Sequence, residues 1–240
     1  MVLVEEKGNR IGAEYAERIS RRAQGVSAFK CVLSRTLMDL QQLTTRVASL
    51  CEEVAAFISA EQLRFTEADV ESKSLNNLVS HVDKGAEERL VLGLGKLLPG
   101  TGFIAEEGTG ARGSGDNWII DPLDGTTNFV HGIPCYCISV GLQRDGSVQL
   151  GVVLEITRAE SFTAWKGGGA WLNGSRIHVS TRERLLDSLL ATGFPYDDFG
   201  REAEYMQLLR ELMRGSRGIR RLGSAAADLE QDQEHQGVLE

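Results

Sequence analysis

Two aspartates three positions apart, Asp121 and Asp124, are the side chains of this sequence best suited to metal chemistry. The apolar residues 118–120 precede them and favour a strand. Pro122 then redirects the backbone, because its ring fixes φ and removes an N–H group. Both carboxylates therefore leave one rigid strand end and can converge on a single hard cation. Oxygen ligands of this kind suit Mg²⁺, which takes one or two carboxylates together with waters and substrate phosphate.

The residues after Asp124 could bind a phosphate group. Gly125, Thr126 and Thr127 offer backbone N–H groups and hydroxyls, which are the donors that phosphate oxygens need. Asp-Pro and Asp-Gly are also common turn dipeptides, and an aspartate before a helix is often only a cap. A turn alone does not require as many acid and hydroxyl groups as occur in the twelve residues WIIDPLDGTTNF. We therefore favour the metal and phosphate interpretation.

These twelve residues resemble the signature of the inositol monophosphatase family, which belongs to a superfamily of Mg²⁺-dependent, lithium-sensitive phosphatases. Further segments match in family order and spacing over roughly 38–229, so chance is a poor explanation. They are LVSHVD (78–83), GFIAEE (102–107), HGIP (131–134), KGGGAWLNG (166–174) and LGSAA (222–226). The resemblance implies an α+β fold of the sugar-phosphatase type, a layered α/β sandwich.

The resemblance also implies a two-metal site built from acidic side chains. Glu106 and Asp121 would bind one Mg²⁺, Asp121 and Asp124 would share a second, and the Leu123 carbonyl would supply a further oxygen. Two such ions lower the pKa of a bound water and clamp the entering and leaving oxygens of a phosphate ester. The alternative for Glu106 is a solvated pair with Glu107 on a loop.

The other residues implied by the resemblance would act on water and on the substrate. Glu106 and Thr126 would activate the attacking water, with Asp83 behind them. A plain helix N-cap is an equal alternative for Asp83. The substrate-binding residues would be Asp124, Gly125, Thr126, Gly223, Ser224 and Ala225.

The expected reaction is the Mg²⁺-dependent hydrolysis of inositol 1-phosphate to inositol and phosphate by a metal-activated water. The signature handles metal and phosphate but not the alcohol, so another sugar or nucleotide phosphate remains open as the substrate. A non-catalytic binding or regulatory protein of the same fold is the alternative from another functional class.

Composition limits the class of protein and its partners. The 240 residues carry a formal net charge of −8 and four cysteines without a Cys-x₂-Cys pair. Nucleic-acid binding needs clusters of lysine and arginine, so an acidic chain argues against such a partner. Neither a membrane-spanning apolar stretch nor a secretory signal is found. We expect a cytoplasmic protein with a small phosphorylated substrate; homodimerisation, common in the family, stays open.

Periodicity indicates the elements that must position these residues. Apolar residues recur every three or four positions over 40–57, which predicts a helix, and a second helix is expected over 83–97. The polar segment 61–76 is expected to be a loop. Strand patterns, with Asp-Gly and Asn-Gly turns, cover 102–105, 135–144, 148–156, 161–165 and 171–179.

Four segments are expected along the chain. Residues 1–37 would be a flexible leader, 38–184 an N-terminal metal-binding domain with a helix pair and an antiparallel sheet, 185–229 an incomplete C-terminal α/β half, and 230–240 a tail unlike the family. The family continues there into a Trp-Asp element whose aspartate completes the metal site, and this sequence contains no Trp-Asp pair. We therefore expect a truncated chain with exposed apolar surface over 185–229 and impaired activity.

Overall fold

The computed structural model describes residues 39–66, 70–74, 77–195 and 198–230. The leader expected over 1–37 lies outside these ranges, as does the expected tail beyond residue 230. From Leu40 onward the described residues belong to one compact unit. Among the helices of this described part, none is both long and apolar enough to cross a membrane.

Two helices form the first layer of the fold. Helix α1 spans Leu40–Gln62 and buries one apolar stripe, as predicted. Helix α2 spans His81–Leu97. Between them, strands β1 (Val70–Ser74) and β2 (Asn77–Ser80) pair as an antiparallel hairpin. The expected loop over 61–76 is therefore wrong at Val70–Ser74, which forms β1. This strand has no apolar pattern of its own and is held by its pairing with β2.

A seven-stranded sheet forms the second layer, in the strand order β3-β4-β5-β6-β7-β8-β9. Adjacent strands of this sheet pair antiparallel, as expected, except for β3 and β4, which run parallel. Because the two strands run in the same direction and Ala105 pairs with Ile120, the residues that follow β3 lie beside the C-terminal half of β4. The strands are β3 Gly102–Ala105, β4 Asn117–Asp124, β5 Cys137–Arg144, β6 Ser147–Glu155, β7 Glu160–Trp165, β8 Gly169–Leu172 and β9 Ser175–Ile177. A short helix, α3 (Thr126–Val130), lies between β4 and β5.

One face of this sheet packs against α1 and α2 and forms the core. Alternate residues of three neighbouring strands point into it, which is the period-two pattern of a sheet with one covered face. Burial of each such side chain contributes roughly 1.5–3 kcal/mol. The buried residues of these strands include Trp118, Ile120, Val140, Leu142, Leu150 and Val152. On the opposite face of β4, Ile119 stays 37% exposed.

The two predicted tight turns join strands of the sheet. At the β5–β6 turn, Asp145 and Gly146 both have positive φ, of 49° and 74°. Asn173 and Gly174, between β8 and β9, have φ of 48° and 79°. Two successive residues with positive φ match the right-handed twist of the flanking strands, which explains why Asp-Gly and Asn-Gly were good signals.

The last described part is a small α/β unit. It contains a 3₁₀ turn at Leu185–Asp187, strand β10 at Leu189–Ala191, helix α4 at Glu202–Gly215, strand β11 at Gly218–Arg220 and helix α5 at Ala225–Glu230. Strands β10 and β11 pair in parallel. Helix α4 buries none of its residues, and apolar side chains are exposed here, as expected. The fold is α+β; the expected domain boundary at 184/185 stays a prediction.

Candidate active site

Glu106 and Asp121 lie near each other where β3 ends beside the C-terminal half of β4. The N–H of Glu106 donates to the Ile120 carbonyl at 3.3 Å, which continues the parallel ladder by one residue. Burial, and then the negative charges of the nearby Glu106 and Asp124, raise the pKa of Asp121 to about 8. Without a cation, Asp121 therefore holds a proton at neutral pH.

Asp124 lies in the turn at residues 124–127, called the signature turn below. It connects this turn to a segment 100 residues further along the chain. Its Oδ2 accepts hydrogen bonds from Ser224 Oγ at 2.8 Å and from the Ala226 N–H at 2.6 Å. The Cys137 thiol lies 3.7 Å from the same oxygen. Within the described residues, these donors all serve Oδ2, so Oδ1 is the oxygen that can face a cation.

Thr126 lies between a buried acid and a backbone carbonyl. Its Oγ1 is 2.9 Å from Asp83 Oδ1 and 3.0 Å from the Leu123 oxygen. A hydroxyl has one proton and donates to only one of these acceptors at a time, which leaves its lone pairs able to accept a hydrogen bond from water. Because α2 begins at His81, Asp83 lies inside the first turn, and the N-cap alternative is wrong.

Two glycines allow the signature turn and the C-terminal segment to approach closely. Gly125 has φ of 96°, and a Cβ there would lie 3.0 Å from the Cys135 oxygen and 3.3 Å from Ser224 Cβ. Gly223 has φ of 100°, and its Cβ would lie 2.7 Å from Asn128 Nδ2. Both positions combine a left-handed backbone with no room for a side chain, so glycine is required.

Asn128 holds the C-terminal segment against the signature turn. This role was not identified from sequence. Its Nδ2 donates to the Cys135 oxygen and to the Leu222 oxygen, both at 2.7 Å. Both protons of the amide are therefore used to hold the segment that carries Gly223 against the signature. The only available signal was the place of Asn128 within the twelve-residue run.

The predicted contacts to an inositol involve Gly223, Ser224 and Ala225. The structure brings this segment beside Asp124, and it leaves Ala225 exposed. Ser224 is only 1% exposed, and its hydroxyl points at Asp124. Ser224 therefore supports Asp124, and direct contact of this segment with a substrate stays a prediction.

The donor set fits a hard cation that keeps its waters. Among the described residues, no group of three or more histidine, cysteine, aspartate or glutamate side chains is spaced to hold a metal ion. What the site offers is the Glu106–Asp121 pair, with Asp124 and the Leu123 carbonyl nearby. Mg²⁺ is commonly held by one or two carboxylates plus water and phosphate rather than by a protein cage. A cation would replace the proton on Asp121.

Comparisons with known proteins point to one family. The profile of the inositol monophosphatase family matches residues 39–231. The Nus factor SuhB of Pseudomonas aeruginosa is 42% identical over 166 residues, and the inositol-1-monophosphatase of Mesorhizobium japonicum is 41% identical over 162 residues. Each alignment covers 67% of this chain and 61% of the relative. The chain thus spans about three fifths of the length of these relatives.

A solved structure supports the same grouping. The crystal structure of the extragenic suppressor protein suhB from Bartonella henselae superposes with a TM-score of 0.72 at 35% sequence identity. The superposition covers 79% of this chain and 72% of that one.

Proposed function

This chain belongs to the inositol monophosphatase family, and from that membership we propose that it is a Mg²⁺-dependent phosphatase that hydrolyses inositol 1-phosphate to inositol and phosphate. The observation that carries the proposal is the position of Glu106 beside Asp121, where the charge of Glu106 helps to raise the pKa of Asp121. Two neighbouring acids whose charges repel form a site that gains from a divalent cation.

Each residue of the proposed site has a distinct role. Glu106, Asp121 and Asp124 would hold Mg²⁺ together with the Leu123 carbonyl. When bound, Mg²⁺ supplies a lowered pKa for its water and positive charge for the phosphate oxygens. The short distance between Thr126 and Asp83 supports a role for this pair, with Glu106, in orienting the attacking water and accepting its proton.

The phosphate and the alcohol would be bound by different parts of the chain. Backbone N–H groups at the start of a helix have no partner within it, so those of Gly125 and Thr126 would hold phosphate oxygens beside Asp124. The segment 223–225 would contact the inositol. Another sugar or nucleotide phosphate is the alternative substrate, because the metal and phosphate residues do not select the alcohol.

A non-catalytic binding or regulatory role is the second candidate, favoured by the Nus factor name of the Pseudomonas relative.

Location and assembly belong to the same proposal. The described cysteines, Cys51, Cys135 and Cys137, are all buried free thiols. This supports a reducing compartment such as the cytoplasm. A homodimer is proposed from the family alone, and neither a nucleic acid nor a membrane is proposed as a partner.

The direct test is phosphate release from inositol 1-phosphate with Mg²⁺ and with EDTA, beside fructose bisphosphate, histidinol phosphate and a nucleotide 3′-phosphate. Asp121→Asn should abolish the Mg²⁺-dependent release. Asp145→Asn, the same change at an exposed turn, should leave it intact. Absence of both turnover and Mg²⁺ binding in calorimetry would reject the phosphatase and favour the binding or regulatory role.

A further inference from the structure

Glu87 is a buried acid that contacts the turn carrying Glu106. It lies in α2 and is 0% exposed. One of its carboxylate oxygens accepts the Glu107 N–H and the other accepts the Thr109 N–H, both at 2.7 Å. Hydrogen bonds from N–H groups to a carboxylate are charge-assisted and stronger than hydrogen bonds between neutral groups. A buried carboxylate is therefore used to hold the backbone of one turn.

These two bonds constrain the direction of the Glu106 side chain. The Glu107 N–H belongs to the peptide plane that joins Glu106 to Glu107, so fixing this group fixes the orientation of that plane. The second bond, to Thr109, holds the far side of the turn, in which Gly108 has φ of 83°. Glu106 itself is exposed, so packing of its side chain cannot supply this constraint.

The position of Glu87 in α2 relates this turn to the other half of the site. Asp83 and Glu87 are four residues apart, and residues at this spacing share one face of a helix. Asp83 contacts Thr126 in the signature turn, and Glu87 contacts the turn after β3. One face of a rigid helix therefore touches both turns that carry the proposed ligands.

We propose that Glu87 is a positioning residue that holds Glu106 beside Asp121. This rests on the proposed function in so far as Glu106 is a metal ligand. The arrangement of the turn itself is a property of the metal-free chain and can be measured without Mg²⁺.

The test compares Glu87→Gln with Glu88→Gln in the full chain. The amide of glutamine has one acceptor oxygen, so Glu87→Gln loses one of the two bonds, whereas Glu88 is exposed in the same helix. Hydrogen exchange without metal should be at least about tenfold faster at the Glu107 or the Thr109 amide in Glu87→Gln and unchanged at both in Glu88→Gln. The Mg²⁺ dissociation constant from calorimetry should rise about 10–100-fold. KM for inositol 1-phosphate at saturating Mg²⁺ should stay unchanged.

Each outcome decides a separate point. If folded Glu87→Gln exchanges both amides at the wild-type rate, the proposal is overturned. It is also overturned if exchange is faster in Glu87→Gln but the variant binds Mg²⁺ with the wild-type dissociation constant. If the wild-type chain neither binds Mg²⁺ nor releases phosphate, the proposed function fails, and the exchange measurement alone decides whether Glu87 holds the turn. If Glu87→Gln does not fold, Glu87→Asp takes its place, since it keeps the charge but is too short to reach both amides.

Discussion

Thr126 Oγ1 lies 2.9 Å from Asp83 Oδ1, although the two residues are 43 positions apart in the sequence. The contact joins the first turn of α2 to the turn that follows β4. It places a hydroxyl beside a carboxylate that is only 2% exposed. In this environment the carboxylate can orient the hydroxyl and share its proton.

Removal of the Thr126 hydroxyl should therefore reduce hydrolysis more than it reduces stability. We expect Thr126→Val to lower kcat by roughly 10²–10⁴, the usual contribution of positioned acid–base groups. Thr126→Ser keeps the hydroxyl and should retain most of the activity. Thr45→Val removes an exposed hydroxyl from α1 and serves as the control. Equal kcat for Thr126→Val and Thr45→Val, measured by phosphate release, would contradict the proposed role.

The raised pKa of Asp121 should make the metal-free chain less stable as pH rises. The unfolded chain loses the Asp121 proton near its usual pKa of 3.8, whereas the folded chain keeps it up to about 8. The unfolded state therefore binds fewer protons between these values, and the free energy of unfolding must fall through this window. Urea titrations in EDTA at several pH values measure this change.

Two comparisons show whether Asp121 or other titrating groups cause the loss of stability with rising pH. Asp121→Asn should remove most of the decline between pH 4 and pH 8, whereas Asp145→Asn should keep it. Mg²⁺ should restore stability most strongly at the upper end of the window, because less proton has to be displaced from Asp121 there. A decline of equal size in Asp121→Asn would show that other groups cause it.

Most of the sheet and both long helices could be predicted from sequence, because local chemistry determines them. Asp145-Gly146 and Asn173-Gly174 specify their turns directly, and the apolar period of α1 is clear. Strand β1 was missed because its segment is polar and is held by pairing with β2. The parallel pairing of β3 with β4 was also missed, since no local pattern reports the direction in which a neighbouring strand runs.

The candidate site residues were predicted from sequence, but the contacts that hold them were not. Glu106, Asp121 and Asp124 could be named from residue type and resemblance. Their supports depend on residues far apart in sequence, such as Glu87 with Thr109 and Asn128 with Leu222. A buried acid or amide in a helix gives no local signal of the backbone group that it will bind.

The close approach of Gly223 and Asn128 predicts a non-additive pair of substitutions. Gly223→Ala should destabilise strongly, because its Cβ would lie 2.7 Å from Asn128 Nδ2 and φ is 100°. Asn128→Ala should cost about 1–3 kcal/mol, since it leaves the Cys135 and Leu222 carbonyls without this donor. In the double variant the steric clash is absent, so Gly223→Ala adds only its backbone strain of about 1–2 kcal/mol to the cost of Asn128→Ala.

The double-mutant cycle for Gly223 and Asn128 is measured by urea unfolding. We expect the two changes together to cost less than the sum of the single changes. Gly146→Ala provides a control for backbone strain alone, since its φ is 74° and its Cβ would meet nothing within 4 Å. Strict additivity would mean that Asn128 moves aside without cost.

The exposed apolar side chains of α4 predict self-association that polar substitution should reduce. Met206 is 52% exposed and Met213 is 64% exposed, and both lie on a helix that buries none of its residues. They are seven residues apart, which places them on one face of the helix, and exposed apolar side chains on one face favour association. We expect Met206→Lys with Met213→Lys to shift sedimentation towards the monomer and to change the free energy of unfolding by no more than about 0.5 kcal/mol. Leu209→Lys, at a half-buried position of the same helix, should instead destabilise the fold. Unchanged association of the double variant would exclude this face of α4 as the contact.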